Sequence, residues 1–117
     1  HLDIAPWLPE MKPGMLAAVE YGTARRAHYD NNEPILGKTG TCTDNRTHLG
    51  WFGSFNDVGR NKLVVVVLLT GGKPVNGPVA AGIAGGVYKN LSGQNYFAHD
   101  RGLSPYGLVS TQSCCAQ

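Results

Sequence analysis

The chain has few cysteines and few charged residues. Its three cysteines, Cys42, Cys114 and Cys115, form an odd-numbered set, so no disulfide framework is predicted. They show no zinc-type spacing relative to His28 or His48, and neither a metal nor any other cofactor is expected. Charged residues make up 15% of the chain, the net charge is +2 and the basic dipeptide Arg25-Arg26 is isolated, so charge does not indicate a nucleic acid partner.

Long hydrophobic runs are missing too. The longest apolar stretch covers residues 63–69, far short of the about 20 residues that a membrane-spanning helix needs. The chain starts at His1, without the basic region and apolar core of a signal peptide. We therefore expect it to be part of a longer protein that carries its targeting information elsewhere.

Several catalytic signatures are absent as well. None of the five lysines follows a serine by three positions, so the chain contains no Ser-x-x-Lys nucleophile. The absence of Gly-x-Ser-x-Gly excludes the nucleophile elbow of α/β-hydrolases. A phosphate-binding P-loop would need glycine at position 32, where Asn32 stands, and Lys38 precedes a strand instead of a helix.

The pattern of apolar, β-branched and turn-forming residues predicts an α+β fold. Pro6, Pro9 and Pro13 each prevent a continuous helix in the N-terminal segment. The first helix is therefore expected over residues 13–20. Three strands of an antiparallel sheet and a second helix are predicted after it, at residues 35–42, 49–55, 62–70 and 78–91. Helices before and after the sheet would then flank it.

The third predicted strand and the end of the chain differ from the rest. Residues 63–69 are apolar without interruption, which predicts burial on both faces, with a covering layer on each, one of which can come from outside this chain. A three-stranded sheet leaves this strand at an edge, so we expect the chain to self-associate or to be poorly soluble by itself. Residues 92–117 show no clear period and are interpreted as a C-terminal tail after a domain portion at 1–91.

The segment Gly37-Lys38-Thr39-Gly40-Thr41 carries the most chemical information. Lys38 supplies a positive charge, and Thr39 and Thr41 supply hydroxyl donors that suit a carboxylate. Gly40 has no side chain, so a substrate can approach the backbone closely. Taken alone, the segment also fits an edge strand with a solvated lysine and two ordinary threonines.

The segments around this strand make its interpretation more specific. Val19-Glu20-Tyr21-Gly22-Thr23-Ala24 precedes it, and Gly50-Trp51-Phe52-Gly53-Ser54-Phe55 follows it. Across residues 13–91 the order and spacing resemble the transpeptidase domain of penicillin-binding proteins, in which Lys-Thr-Gly is an active-site motif. Gly53 stands one place early relative to the family's Trp-Phe-x-Gly pattern. The resemblance implies a β-lactamase/transpeptidase-like fold of which this chain is the C-terminal portion.

The resemblance also implies roles for individual residues. Lys38 would shape the electrostatics of the catalytic cleft, and Thr39, Gly40 and Thr41 would line the site of the terminal carboxylate of the substrate. The N–H of Thr41 would be one of two oxyanion-hole donors, an arrangement typically worth about 3–4 kcal/mol. The serine nucleophile would come from the missing N-terminal part of the domain, so this chain alone is expected to be inactive.

The implied function is that of a D,D-transpeptidase that cross-links peptidoglycan. Its partners would be D-Ala-D-Ala stem peptides, which form a serine acyl-enzyme, and β-lactam antibiotics such as penicillin. The parent protein would be membrane-anchored, with this domain on the extracytoplasmic (periplasmic) face of the bacterial inner membrane. A non-catalytic binding or assembly module derived from the same fold would give the same pattern, and a β-lactamase is a third possibility within the fold.

Two further features are interpreted without a catalytic role. Tyr29-Asp30-Asn31 matches the family's Ser/Tyr-x-Asn motif literally, but the family places that motif well before this point, so we interpret it as a coincidence in a loop. His28 and His48 flank the motif strand in sequence and have no acidic or serine partner at recognisable spacing. They are interpreted as surface residues, as is His99.

Overall fold

The computed structural model of the chain describes residues 1–72 and 75–98. Two helices and a three-stranded antiparallel sheet make up the fold, which confirms the predicted α+β class. In chain order the elements are α1 (Leu8–Glu20), β1 (Ile35–Asp44), β2 (Thr47–Asn56), β3 (Val64–Gly71) and α2 (Gly77–Gly93). Short 3₁₀ turns at Ala5–Trp7 and Arg25–Ala27 precede α1 and β1. Within the described residues, no helix is long and apolar enough to cross a membrane.

Helix α1 begins at Leu8 instead of Pro13 and contains Pro13 in its interior. Pro9 lies in the first turn, where its missing N–H would have had no partner within the helix. Pro13 removes a donor to the carbonyl of Pro9, but Pro9 is solvent-exposed, so water can hydrate that oxygen. The prediction that these prolines prevent a continuous helix was therefore wrong, because this part of the helix is open to solvent.

The three strands form one sheet in the order β1-β2-β3. β1 and β2 are joined by a tight turn in which Asn45 has a φ of 50°, a left-handed conformation that asparagine tolerates. The register places Thr39 opposite Phe52 and Gly40 opposite Trp51. Because β2 lies in the middle, β1 and β3 are both edge strands.

One face of the sheet, which we call the inner face, packs against α2. Phe52 is fully buried there, and Ile35, Val65 and Val67 contact the same core. The residues that α2 contributes are mostly small: Ala80, Ala81, Ala84 and the larger Tyr88. Small side chains allow the helix to lie close to the sheet, which fits the many alanines and glycines between residues 77 and 93.

The N-terminus of α2 lies closest to the sheet. Asn76 caps the helix, and its side-chain oxygen accepts a hydrogen bond of 2.9 Å from the N–H of Val79. A Cβ on Gly77 would lie 2.8 Å from the Cβ of Thr39, and a Cβ on Gly50 would overlap the backbone of Asn76. Only glycine at positions 50 and 77 allows the helix to approach this closely.

The residues that follow α2 return to the core. Phe97 is 2% exposed and lies beside Tyr88, with the two ring centroids 6.0 Å apart. The carbonyl of Phe97 accepts hydrogen bonds from the N–H groups of Arg60 at 2.8 Å and Asn61 at 3.2 Å. The first residues of the predicted tail thus complete the core. The rest of it, from residue 99 onwards and including His99 and two of the cysteines, lies outside the described residues.

The opposite face of the sheet, which we call the outer face, is open along β3. Val64, Val66 and Leu68 are 71%, 66% and 61% exposed, and Trp51 of β2 is 38% exposed. Val65, Val67 and Leu69 point to the inner face instead and are half-buried. Among the described residues, therefore, only one of the two expected covering layers is present, and β3 is covered on its inner side alone.

Candidate functional site on strand β1

The segment Lys38-Thr39-Gly40-Thr41 lies in the middle of the edge strand β1. Lys38 and Thr41 are exposed, Gly40 is half-buried and Thr39 is only 7% exposed. Side chains alternate along a strand, so Lys38 and Gly40 belong to the outer face and the two threonines to the inner face. The predicted site residues are therefore adjacent but point in two directions.

Thr39 is held by the segment that precedes β1 in the chain. Its hydroxyl lies 2.7 Å from the hydroxyl of Thr23, and one of the two donates to the other. Next to Thr23, Ala24 is fully buried, and a Cβ on Gly22 would lie 2.8 Å from the Cα of Ala18. The tight end of α1 therefore fixes Thr23 in place and gives the Thr39 hydroxyl a partner inside the protein.

Thr41 connects β1 to the start of α2. Its Oγ1 accepts a hydrogen bond of 2.9 Å from the N–H of Gly77. A hydroxyl that accepts through one lone pair retains its O–H as a donor, and Thr41 is exposed. Thr41 thus fixes the position of the strand and can still donate a hydrogen bond to an anion.

Gly40 lies against the indole of Trp51, its partner on β2. A Cβ at position 40 would overlap the indole ring, so only glycine fits there. An aromatic ring placed across a neighbouring glycine packs against the bare backbone. On the outer face, the space beside Gly40 that we expected a substrate to approach is occupied by Trp51.

Lys38 forms no ion pair with an acidic side chain among the described residues. Its Nζ donates a hydrogen bond of 2.8 Å to the carbonyl of Thr39, and the residue is exposed. The ion pair between Lys12 and Asp57, at 3.2 Å, lies elsewhere, and no ion pair found in the described part of the chain involves Lys38. The ammonium group is therefore available to an anionic ligand or to developing negative charge.

A cleft of about 540 Å³ opens beside Thr23, between the end of α1 and the start of α2. Its lining residues are Tyr21, Gly22, Thr23, Arg25, Arg26 and Pro78. Both arginines are exposed, and sequence reasoning passed over them as an isolated basic dipeptide. The one signal that could have found them is their position directly after Gly22-Thr23-Ala24.

The Tyr29-Asp30-Asn31 segment leads into a turn, in which the N–H of Glu33 donates a hydrogen bond of 3.2 Å to the carbonyl of Asp30. The carboxylate of Asp30 accepts a hydrogen bond of 2.8 Å from the N–H of Asn32. The hydroxyl of Tyr29 donates to the carboxylate of Glu33. Burial and the neighbouring Glu33 carboxylate raise the pKa of Tyr29 above its usual value. These contacts give the segment a structural role.

The remaining candidate ligands form no metal site. Among the described residues, no group of three histidine, cysteine or acidic side chains could hold a metal ion. His28 is exposed, and the Nδ1 of His48 lies 3.2 Å from the Oγ1 of Thr43. Cys42 is an exposed free thiol on β1.

Comparisons with known proteins add no relative to these observations. No protein-family model, no curated protein and no solved structure matches the chain. Any functional interpretation therefore rests on the sequence motifs and on the contacts around β1.

Proposed function

We propose that this chain is the C-terminal part of a penicillin-binding transpeptidase domain and supplies its Lys-Thr-Gly strand. A serine outside this chain would attack the penultimate D-Ala carbonyl of a D-Ala-D-Ala stem peptide. The terminal D-Ala would leave with a proton on its amine, and a second stem peptide's amine would then take the acyl group. The parent protein would be membrane-anchored, would act on peptidoglycan outside the cytoplasm and would be acylated by β-lactams.

The observation that carries this proposal is the meeting of three separate sequence segments around β1. The Thr23 hydroxyl of Gly22-Thr23-Ala24 lies 2.7 Å from that of Thr39, and the indole of Trp51 covers Gly40. The three segments on which the family resemblance rests thus form one unit around β1. The hairpin alone places Trp51 beside Gly40, but it gives no reason for Thr23 to adjoin Thr39.

In this proposal Lys38 and Thr41 act on the substrate from this chain. The ammonium of Lys38, on the opposite side of the edge strand from the Thr41 side chain, would stabilise the negative charge that develops during acyl transfer. The O–H of Thr41 would bind the terminal carboxylate, while the Gly77 N–H holds its Oγ1 in place. Thr39 is buried with its hydroxyl engaged, so it would act by positioning the strand.

Labelling with a fluorescent penicillin tests the proposal. The 117-residue chain is expected to take up no covalent label, because it contains no Ser-x-x-Lys serine. The longer protein that contains it is expected to be labelled on a serine outside this chain. Lys38→Ala should slow that labelling about tenfold or more, since a charged hydrogen bond is lost. Arg46→Ala, in the exposed β1–β2 turn, should keep the parent's rate.

Two results contradict the proposal. The first is covalent label on a residue of this chain. The second is a Lys38→Ala protein that is labelled as fast as the Arg46→Ala control, because the Lys-Thr-Gly lysine would then have no part in acylation.

A non-catalytic binding or assembly module built on the same fold is the second candidate. The observation that favours it is the engagement of Thr39 and Gly40 within the protein, which leaves fewer groups for a substrate. A longer protein that contains neither Ser-x-x-Lys nor Ser-x-Asn upstream, and takes up no penicillin, would support the module. The presence of both motifs together with penicillin labelling would support the enzyme.

A further inference from the structure

The cleft between the end of α1 and the start of α2, which we call the arginine cleft, adjoins β1 without being part of it. Its volume of about 540 Å³ falls within the range of about 300–1,000 Å³ that is typical of small-ligand sites. Arg25, Arg26 and Thr23 are among its lining residues, and no acidic residue is. This set of groups suits an anionic ligand.

The backbone that carries the arginines is fixed by contacts with α2. A Cβ on Gly85 would lie 2.8 Å from the Cα of Ala27, so the 3₁₀ turn touches the helix backbone directly. A Cβ on Gly82 would lie 3.6 Å from the Cβ of Arg26 and 3.8 Å from its Cδ, so the arginine stem runs along the helix surface. A stem that is already packed loses less conformational entropy when its guanidinium binds a ligand.

The two arginines are not neutralised by the protein. No ion pair found among the described residues involves Arg25 or Arg26. The nearest acids in sequence, Glu20 and Asp30, do not line the cleft. Guanidinium groups bind carboxylates through two parallel N–H···O hydrogen bonds, so a ligand carboxylate would find matching donors here.

The N-terminus of α2 does not supply the binding groups. Its first N–H groups are already bonded within the protein or are absent. The N–H of Gly77 donates to Thr41, those of Val79 and Ala80 donate to Asn76, and Pro78 has none. An anion in the cleft must therefore be held by the side chains of Arg25, Arg26 and Thr23.

We propose that the arginine cleft is a carboxylate-binding site in which Arg25 and Arg26 donate to the carboxylate and Thr23 adds a hydroxyl. The 2.7 Å contact between Thr23 and Thr39 joins the cleft to β1, so the ligand lies next to the Lys-Thr-Gly strand. The site goes beyond the proposed function, because it needs only the residues of the cleft. The carboxylate can belong to a peptide C-terminus or to a small organic acid.

Two-dimensional NMR titration of the full 117-residue chain tests the site. The probes are N-acetyl-D-Ala-D-Ala, its L,L stereoisomer, the C-terminal amide of the D,D peptide, and acetate. We expect the free acids to shift the backbone amide signals of Thr23, Arg25 and Arg26, and the peptide amide to leave them unchanged. Tighter binding of the peptides than of acetate assigns the site to a peptide C-terminus, and equal binding assigns it to small acids.

Variants and salt provide independent controls. Arg25→Gln combined with Arg26→Gln should weaken binding of the free acids about tenfold or more, whereas Arg46→Gln should bind as the parent does. Raising the salt concentration from about 0.05 M to about 0.5 M should weaken binding to the unaltered chain, because exposed charges are screened. Equal shifts by acid and amide, or equal affinities of the double variant and Arg46→Gln, overturn the proposal.

The stereoisomers separate this proposal from the transpeptidase proposal. Equal binding of the D,D and L,L acids would support the carboxylate site but would show that it is not specific for D-Ala-D-Ala peptides. Absence of carboxylate binding in the cleft, together with penicillin labelling of the longer protein that depends on Lys38, overturns the cleft and leaves the transpeptidase proposal standing.

Discussion

The inner and outer faces of the sheet use the same kind of residue in different ways. On the inner face, Phe52 is fully buried, and Val65 and Val67 pack against the core that α2 covers. On the outer face, Val64 and Val66 of the same strand are 71% and 66% exposed. Adjacent valines thus differ only in whether another element lies over them. A β-branched run indicates a strand, and the covering layer decides which of its residues are buried.

The outer face has the character of a surface that another layer covers. Val64, Val66, Leu68 and Trp51 are exposed there, and β3 has no strand paired to its second edge within residues 1–72 and 75–98. Exposed apolar patches and bare strand edges both favour association. In the proposed transpeptidase the N-terminal part of the domain would supply the cover, and in the isolated chain a second copy would. Substitutions on the two faces should therefore differ in their effects on stability and on self-association.

Phe52→Ala should cause the largest loss of stability, about 3–5 kcal/mol in the free energy of unfolding, because it leaves a cavity beneath α2. Val64→Ala, on the exposed side of β3, is the control and should change it by about 0.5 kcal/mol or less. Urea denaturation followed by circular dichroism measures both. Similar losses in the two variants would mean that the two faces are equally packed.

Gly50→Ala should destabilise the protein by about 1–3 kcal/mol, because the new methyl group overlaps the backbone of Asn76 and pushes α2 off the sheet. Gly53→Ala is the matched control on the outer face of the same strand. A Cβ at position 53 meets only the Trp51 ring, at 3.4 Å or more, so the cost should stay below about 1 kcal/mol. Thermal unfolding distinguishes them, and equal melting temperatures would contradict the close approach of α2.

Tyr88→Phe should cost about 1 kcal/mol at neutral pH, because the tyrosine hydroxyl lies 3.0 Å from that of Ser54 in the inner core. It should also flatten the pH profile of stability. Burial raises the pKa of Tyr88, so the folded state holds its proton more tightly than the unfolded state does. That stabilisation is complete below the unfolded pKa of about 10 and is lost as pH rises through the folded pKa.

Urea denaturation at a series of alkaline pH values measures this effect. The parent should lose stability above about pH 10, and Tyr88→Phe should lose less. Tyr21→Phe, at a tyrosine that is 74% exposed, serves as the control and should follow the parent. A Tyr88→Phe profile that coincides with the parent's would show that ionisation of this tyrosine is not linked to unfolding.

Val66→Lys should have the smallest effect on unfolding, about 0.5 kcal/mol or less, because the side chain is on the open face. It should nevertheless reduce self-association, since it places a charge in the exposed apolar patch. Met11→Lys, on an exposed part of α1, adds the same charge elsewhere and should associate as the parent does. Sedimentation velocity measures the difference, and a parent that sediments as a sharp monomer would refute the prediction.

Most of the fold could be predicted from local patterns. The strands and α2 lie where β-branched residues, turn residues and Pro78 indicated, with shifts of a few residues at their ends. The start of α1 was missed because Pro13 was treated as a helix breaker, although its lost hydrogen bond lies at an exposed site. The packing of Phe97 was missed because a single aromatic residue in a polar segment shows no periodicity.

The contacts of the candidate site could be predicted far less well. The placement of Lys38 on a strand followed from the sequence around it. The partners of Thr39 and Thr41 lie 16 and 36 residues away, and only tertiary packing brings them together. The arginine cleft is likewise formed by the ends of two helices. Residue types thus indicated which charged and hydroxyl groups β1 carries. The packing of the other segments against β1 determined which of those groups remain exposed.

The hydrogen bond between Thr41 and Gly77 can form only late in the synthesis of the chain. The two residues are 36 positions apart, so at ribosomal rates of about 5–20 residues per second Gly77 is made about two to seven seconds after Thr41. During that interval β1 lacks its connection to α2, and the inner face lacks its cover. A nascent chain released before Gly77 would therefore contain the Lys-Thr-Gly sequence without the geometry that orients it.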